Sequence, residues 1–127
     1  MDNRRFEELV SKAVEALPSE FKNKLENVDI LVEDWPSASQ LRRMRLRHRA
    51  QLLGLYEGIP QTKRGHGYNL VLPDKITIFQ KPIEAKARSE KAIEEEIGAV
   101  VRHELAHHFG IGDDTLWKIE QQKRQKP

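Results

Sequence analysis

Residues 101–114 read Val-Arg-His-Glu-Leu-Ala-His-His-Phe-Gly-Ile-Gly-Asp-Asp, and no other stretch restricts the fold as much. His103 and His107 are four positions apart, so on a helix both rings project from one face, about one turn from each other. Two imidazoles at that spacing, with a glutamate directly after the first, can hold zinc and set a base beside it. Glu104 sits about 100° round the helix from His103, next to the metal rather than on it. Gly110 falls where a glycine can end the helix in the left-handed conformation. Asp113 then arrives on the returning chain as an oxygen donor. The spacing predicts one zinc ion held by His103, His107 and Asp113, with a fourth position open to water. Asp114 is the neighbouring alternative, with capping of the following helix at Thr115 as its competing role. The plain alternative to the whole motif is a chance helix end.

A helical wheel places the motif in its surroundings. Ile93, Ile97, Val101, Leu105 and Phe109 share one apolar arc, which predicts a face against a core with the metal row along its edge. Arg102, Ala106 and Glu95 fall on the opposite side. His108 falls inside the apolar arc and reads as a hydrogen-bonded core histidine rather than a ligand. Glu96 lies under the metal row but two turns away. It reads as a solvated or salt-bridged carboxylate.

The chain has 127 residues, enough for one domain over 1–127 with a modest core. It has no cysteine, which excludes disulfides and thiolate zinc sites and fits a reducing cytoplasm. The charged start, Met1-Asp2-Asn3-Arg4-Arg5, lacks the apolar run of a signal peptide, so a cytoplasmic location is expected. No run of about 18 apolar residues could span a membrane. The net charge of +2 is too small to argue for nucleic acid.

Along the chain, Phe6, Leu9, Val10, Ala13 and Leu17 recur at helical spacing. They predict a helix over 3–17 with Asp2 as N-cap, stopped by Pro18. Ser19 can cap a short second helix that turns Phe21 and Leu25 inward. Val28, Ile30 and Val32 alternate as a strand, and Leu31 suggests cover on both faces. From Ser37 to Ala50 the pattern is ambiguous: Leu41, Met44 and His48 allow a helix, while Met44, Leu46 and His48 allow a strand. Arg42, Arg43, Arg45, Arg47 and Arg49 make this segment strongly basic. The ordinary reading is a solvated, partly mobile segment; the functional one is a docking patch for an anionic partner. No aromatic residue interleaves these arginines, which weakens a single-strand-binding reading. Residues 52–57, 68–72 and 75–79 read as further strands, the last two joined as a hairpin at Pro73-Asp74. Residues 82–87 read as a short helical turn. Ser89 caps the long helix, and a final helix runs over 115–122.

Three blocks carry a resemblance to a known family. They are Leu52-Leu53-Gly54-Leu55-Tyr56-Glu57-Gly58-Ile59-Pro60, Leu72-Pro73-Asp74-Lys75-Ile76-Thr77-Ile78-Phe79, and Val101 through Leu116. The chain resembles the small bacterial zincin-like metallopeptidases. The resemblance implies a minimal zincin fold of the α+β class, a small mixed sheet of three to four strands packed on helices, with the metal motif on the long helix. It also implies zinc on His103, His107 and Asp113, and Glu104 as general base. The arginine run is longer and more basic than the resemblance leads one to expect. No methionine follows the motif, so the methionine turn of metzincins is absent.

These features predict a zinc metallopeptidase acting on a peptide or protein substrate. The peptide would lie along an exposed strand edge, with Glu104 activating the zinc-bound water. Tyr56, Tyr68, His66 and Arg64 are candidates for steadying the oxyanion, each with a surface role as its alternative. The loop 58–67 could act as a lid. The competing function is a catalytically weak or inactive zinc-binding regulatory or interaction protein. The intact Glu104 argues against it, because a structural zinc site needs no base.

Overall fold

The computed structural model describes residues 1–58 and 72–110. Helix α1 (Asn3–Glu15) starts at Asp2, whose side chain accepts from Arg5 N at 2.8 Å. It ends two residues earlier than its apolar spacing suggests, and Phe6, Leu9, Val10 and Ala13 are buried along one face. In α2 (Ser19–Lys24) Pro18 takes the N-cap position and Ser19 is already helical, so the serine does not cap. The Pro18 carbonyl accepts from Phe21 N at 2.9 Å and Lys22 N at 3.1 Å, and its preset φ suits a helix start. Phe21 is fully buried.

Strands β1 (Val28–Glu33), β2 (Gly54–Glu57) and β3 (Asp74–Phe79) form a mixed sheet in the order β1-β3-β2. β1 runs parallel to β3, pairing Ile30 with Ile76; β2 runs antiparallel to it, pairing Tyr56 with Ile76. The central strand is covered on both faces, with Ile76, Thr77, Ile78 and Phe79 all buried. Ile76 and Ile78 join the main core with α1 and the long helix. Phe79 joins a second cluster with Leu52 and Leu55, packed under Leu41 and Leu46. That cover does not extend to β1, where Leu31 is 42% exposed, so β1 is covered on one face only. Residues 68–71 of the strand expected over 68–72, and with them the hairpin built on it, lie outside the described residues; Leu72 is not in a strand.

The ambiguous segment contains helix α3 (Ala38–Arg43). Ser37 and Gln40 form a reciprocal capping box at its start. Its end is a Schellman turn: Leu46 N donates to Leu41 O at 2.9 Å and Arg45 N to Arg42 O at 3.1 Å. Arg45 takes the left-handed position that glycine usually fills, with φ 58°. For a residue with a Cβ that conformation costs about 1–2 kcal/mol. A 3₁₀ turn over Arg49–Gln51 leads into β2.

α4 (Gln80–Lys86) follows β3 directly, and α5 (Glu90–Phe109) begins at Ser89, whose hydroxyl accepts from Ala92 N at 3.1 Å. α5 packs on α1, α2, α4, β2 and β3. Ile97, Val101 and Leu105 are fully buried, each burial stabilising by about 1.5–3 kcal/mol. Ala106, placed opposite the apolar arc by the wheel, is also buried, because helices as well as strands pack on α5 and widen its covered face. α5 stops at Gly110, which adopts the left-handed φ of 67° as its position requires. Among the described residues no helix is long and apolar enough to cross a membrane.

Candidate metal centre

His103 and His107 lie one turn apart near the C-terminal end of α5, both exposed, with ring centroids 4.4 Å apart. Glu104 is half-buried beside them. Its Oε1 accepts from the backbone N–H of Tyr56 at 3.0 Å. The ladder of β2 explains why that N–H is available. Leu53 O accepts from Phe79 N at 2.9 Å and Leu55 opposes Thr77, so these residues bond toward β3. The alternate residues, Gly54 and Tyr56, direct their backbone groups to the outer edge. Nothing in the side-chain pattern signals this contact, since any residue has a backbone donor.

Gly54 sets how closely the strand approaches the helix. A Cβ there would collide with Val100 Cγ1 and lie 3.2 Å from Thr77 O. The absent side chain lets β2 rest on α5 close enough for the Tyr56–Glu104 bond. A glycine inside a strand pattern is the sequence signal for such an approach. Where the two elements meet, Met44, Leu53, Gly54, Val100, His103 and Glu104 line a groove of about 420 Å³.

Around this groove the carboxylates are held in pairs. Glu96 lines it and its Oε1 accepts from Lys86 Nζ at 2.9 Å, as a salt-bridged helix carboxylate should. Glu57 accepts from Arg43 Nη2 at 2.7 Å and from Gln40 Nε2 at 3.1 Å, with Lys75 Nζ 4.0 Å away. Burial pushes the Glu57 carboxyl up, but the hydrogen bonds from Arg43 and Gln40 and the two nearby cations outweigh it. The group therefore titrates below the usual carboxylate range.

His108 is not a core histidine. It is exposed, its ring stacks on Tyr56 at 3.8 Å, and its Nε2 lies 3.9 Å from Asp74 Oδ2. Phe109 is also largely exposed, at 43%. The Tyr56 hydroxyl donates to Asp74 Oδ2 at 2.7 Å, so in this structure the phenol faces Asp74. The other oxyanion candidates, Arg64, His66 and Tyr68, and both third-ligand candidates, Asp113 and Asp114, lie outside the described residues, as do most of the loop 58–67 and the helix over 115–122.

Among the described residues no three histidine, cysteine or acidic side chains converge on one point. The two imidazoles that do converge are donors that suit zinc, and both are accessible. The described donors therefore fit the ion and leave room for a ligand from the chain beyond Gly110. A family model described as zincin-like metallopeptidase matches residues 25–123. No curated protein matches the chain.

Proposed function

The chain belongs to the zincin-like metallopeptidase family, and we propose that it hydrolyses peptide bonds, with one zinc ion held by His103, His107 and Asp113 and with Glu104 as general base. The observation that carries this reading is the bond from Tyr56 N–H to Glu104 Oε1 at 3.0 Å, beside two exposed imidazoles. A carboxylate fixed in that place is what a hydrolytic site needs. A purely structural zinc site has no use for it.

Zinc, when bound, supplies Lewis acidity and makes a bound water easier to deprotonate. Tyr56 N–H occupies Oε1 of Glu104, which leaves Oε2 to take the water's proton and later pass it to the leaving amine. The donated hydrogen bond also fixes the carboxylate's rotamer, so no ordering is needed when substrate arrives. A substrate peptide would lie along the outer edge of β2, where Gly54 directs its backbone groups, and would pair with it as an added strand. The apolar walls at Met44, Leu53 and Val100 would take a side chain and exclude water. A cleavage screen of the zinc-loaded protein against a peptide library, with Glu104→Gln as control, tests the reading. Cleavage that persists in the variant would rule out Glu104 as the base.

A further inference from the structure

We propose that the arginine-rich segment spanning the last turn of α3 and the residues after it makes the groove selective for acidic peptides, with Arg45 as a specificity-determining residue. This rests on the peptidase reading above. Five arginines, at 42, 43, 45, 47 and 49, fall within the segment. Two of them fasten it to the fold. Arg43 Nη2 binds Glu57 at 2.7 Å, and the Arg49 guanidinium lies 3.9 Å over the Trp35 ring. Arg42, Arg45 and Arg47 are exposed, and none has a carboxylate partner among the described residues.

One residue of this segment reaches the groove, and the three arginines flank it in sequence without lining the groove themselves. Met44, between Arg42 and Arg45, lines it together with His103 and Glu104. Two carboxylates nearby are already paired, Glu96 with Lys86 at 2.9 Å and Glu57 with Arg43 at 2.7 Å, which leaves Glu104 as the groove's carboxylate without a cation partner among the described residues. The rim beside Met44 therefore carries three exposed cations without a carboxylate partner among the described residues, next to a groove that itself holds the Glu104 carboxylate, and the rim is held by the Schellman turn and the Arg43–Glu57 pair.

Arg45 adds an independent observation. It holds the left-handed conformation, φ 58°, at a position where glycine would carry no strain. Among the described residues its side chain makes no ion pair that would offset the strain. A strained, exposed cation with no carboxylate partner among the described residues, next in sequence to groove-lining Met44, is better explained by what it contacts in a substrate than by what it does for the described fold. The ligand is an acidic peptide rather than a nucleic acid for two reasons. The groove leads to the base of a peptidase site, and the aromatic face nearest in sequence, Trp35, is already covered by Arg49.

The test uses the full chain as the zinc-loaded Glu104→Gln variant, so that binding is read without turnover. Fluorescence anisotropy compares a labelled glutamate-rich decapeptide with its glutamine counterpart. We expect the acidic peptide to bind about tenfold tighter at low salt and to lose that advantage as salt rises. Adding Arg45→Gly should weaken acidic-peptide binding about threefold while raising the thermal midpoint. Adding Arg42→Gln and Arg47→Gln as well should erase the preference. Equal binding of the two peptides would overturn the proposal. So would displacement of the acidic peptide by a weaker-charged single-stranded oligonucleotide. A lower midpoint for Arg45→Gly would make Arg45 a structural residue and overturn its assignment. A wild-type protein that cleaves no peptide would sink the peptidase reading but leave this binding result standing, so the two failures are distinguishable.

Discussion

The backbone N–H of Tyr56, on the strand that borders the groove, donates to Oε1 of Glu104 on α5 at 3.0 Å. Sheet and helix thus share one hydrogen bond at the proposed base, and any change in their spacing reaches that carboxylate first. Gly54, two residues before Tyr56, controls the spacing through its contact with Val100.

Gly54→Ala should therefore push β2 away from α5. We expect a loss of about 1–3 kcal/mol in urea denaturation, the usual cost of overpacking. Val100→Ala in the same chain should recover part of it, because Val100 Cγ1 is the atom the new methyl meets. A single Gly54→Ala variant as stable as wild type would mean that the close approach does not exist.

Glu57 should give the fold a measurable acid sensitivity. Its folded-state pKa is depressed, so its contribution is fully present above the unfolded value, about 4.3. That contribution is lost as pH falls through the lower folded value. Glu57→Gln should be less stable than wild type at pH 7 by under about 1 kcal/mol, since the pair with Arg43 is partly exposed. The two proteins should converge in denaturation experiments toward pH 3. A difference that stays constant across that range would assign the effect to packing instead.

The third ligand can be settled by comparing Asp113→Asn with Asp114→Asn in zinc titrations. Asp113→Asn should weaken binding by at least about tenfold, in keeping with loss of a direct ligand. Asp114→Asn should leave affinity near wild type. The reverse order would move the ligand one residue along the chain.

The parts of this fold that the sequence made legible are those set by local chemistry. Asp2, Ser89 and Gly110 bracket α1 and α5 where their cap chemistry says they should. The closeness of the His103 and His107 rings likewise follows from helical spacing, whereas Glu96 finds its partner Lys86 on α4, which spacing within α5 does not reveal. What the wheel could not give was reach. It put His108 in the core-facing arc, whereas the residue is exposed and meets Tyr56 and Asp74 at the last turn of α5. It missed the burial of Ala106 because several elements pack on α5, which the pattern of a single helix cannot reveal. Leu31 suggested two covered faces, but α3 shields only the β2–β3 part of the sheet. The end of α3 was hidden because arginine, not glycine, occupies its left-handed position. The Tyr56–Glu104 bond had no signature at all, its donor being main chain.

The most direct measurement is zinc content and peptide hydrolysis taken together on wild type and Glu104→Gln. Glutamine keeps the shape of the side chain but cannot accept a proton, so the site should still fill while turnover stops. We expect about one zinc per chain in both proteins, with hydrolysis lost by at least about a hundredfold in the variant. Equal hydrolysis by the two proteins, or no zinc in either, would contradict a metallopeptidase site built on His103, Glu104 and His107.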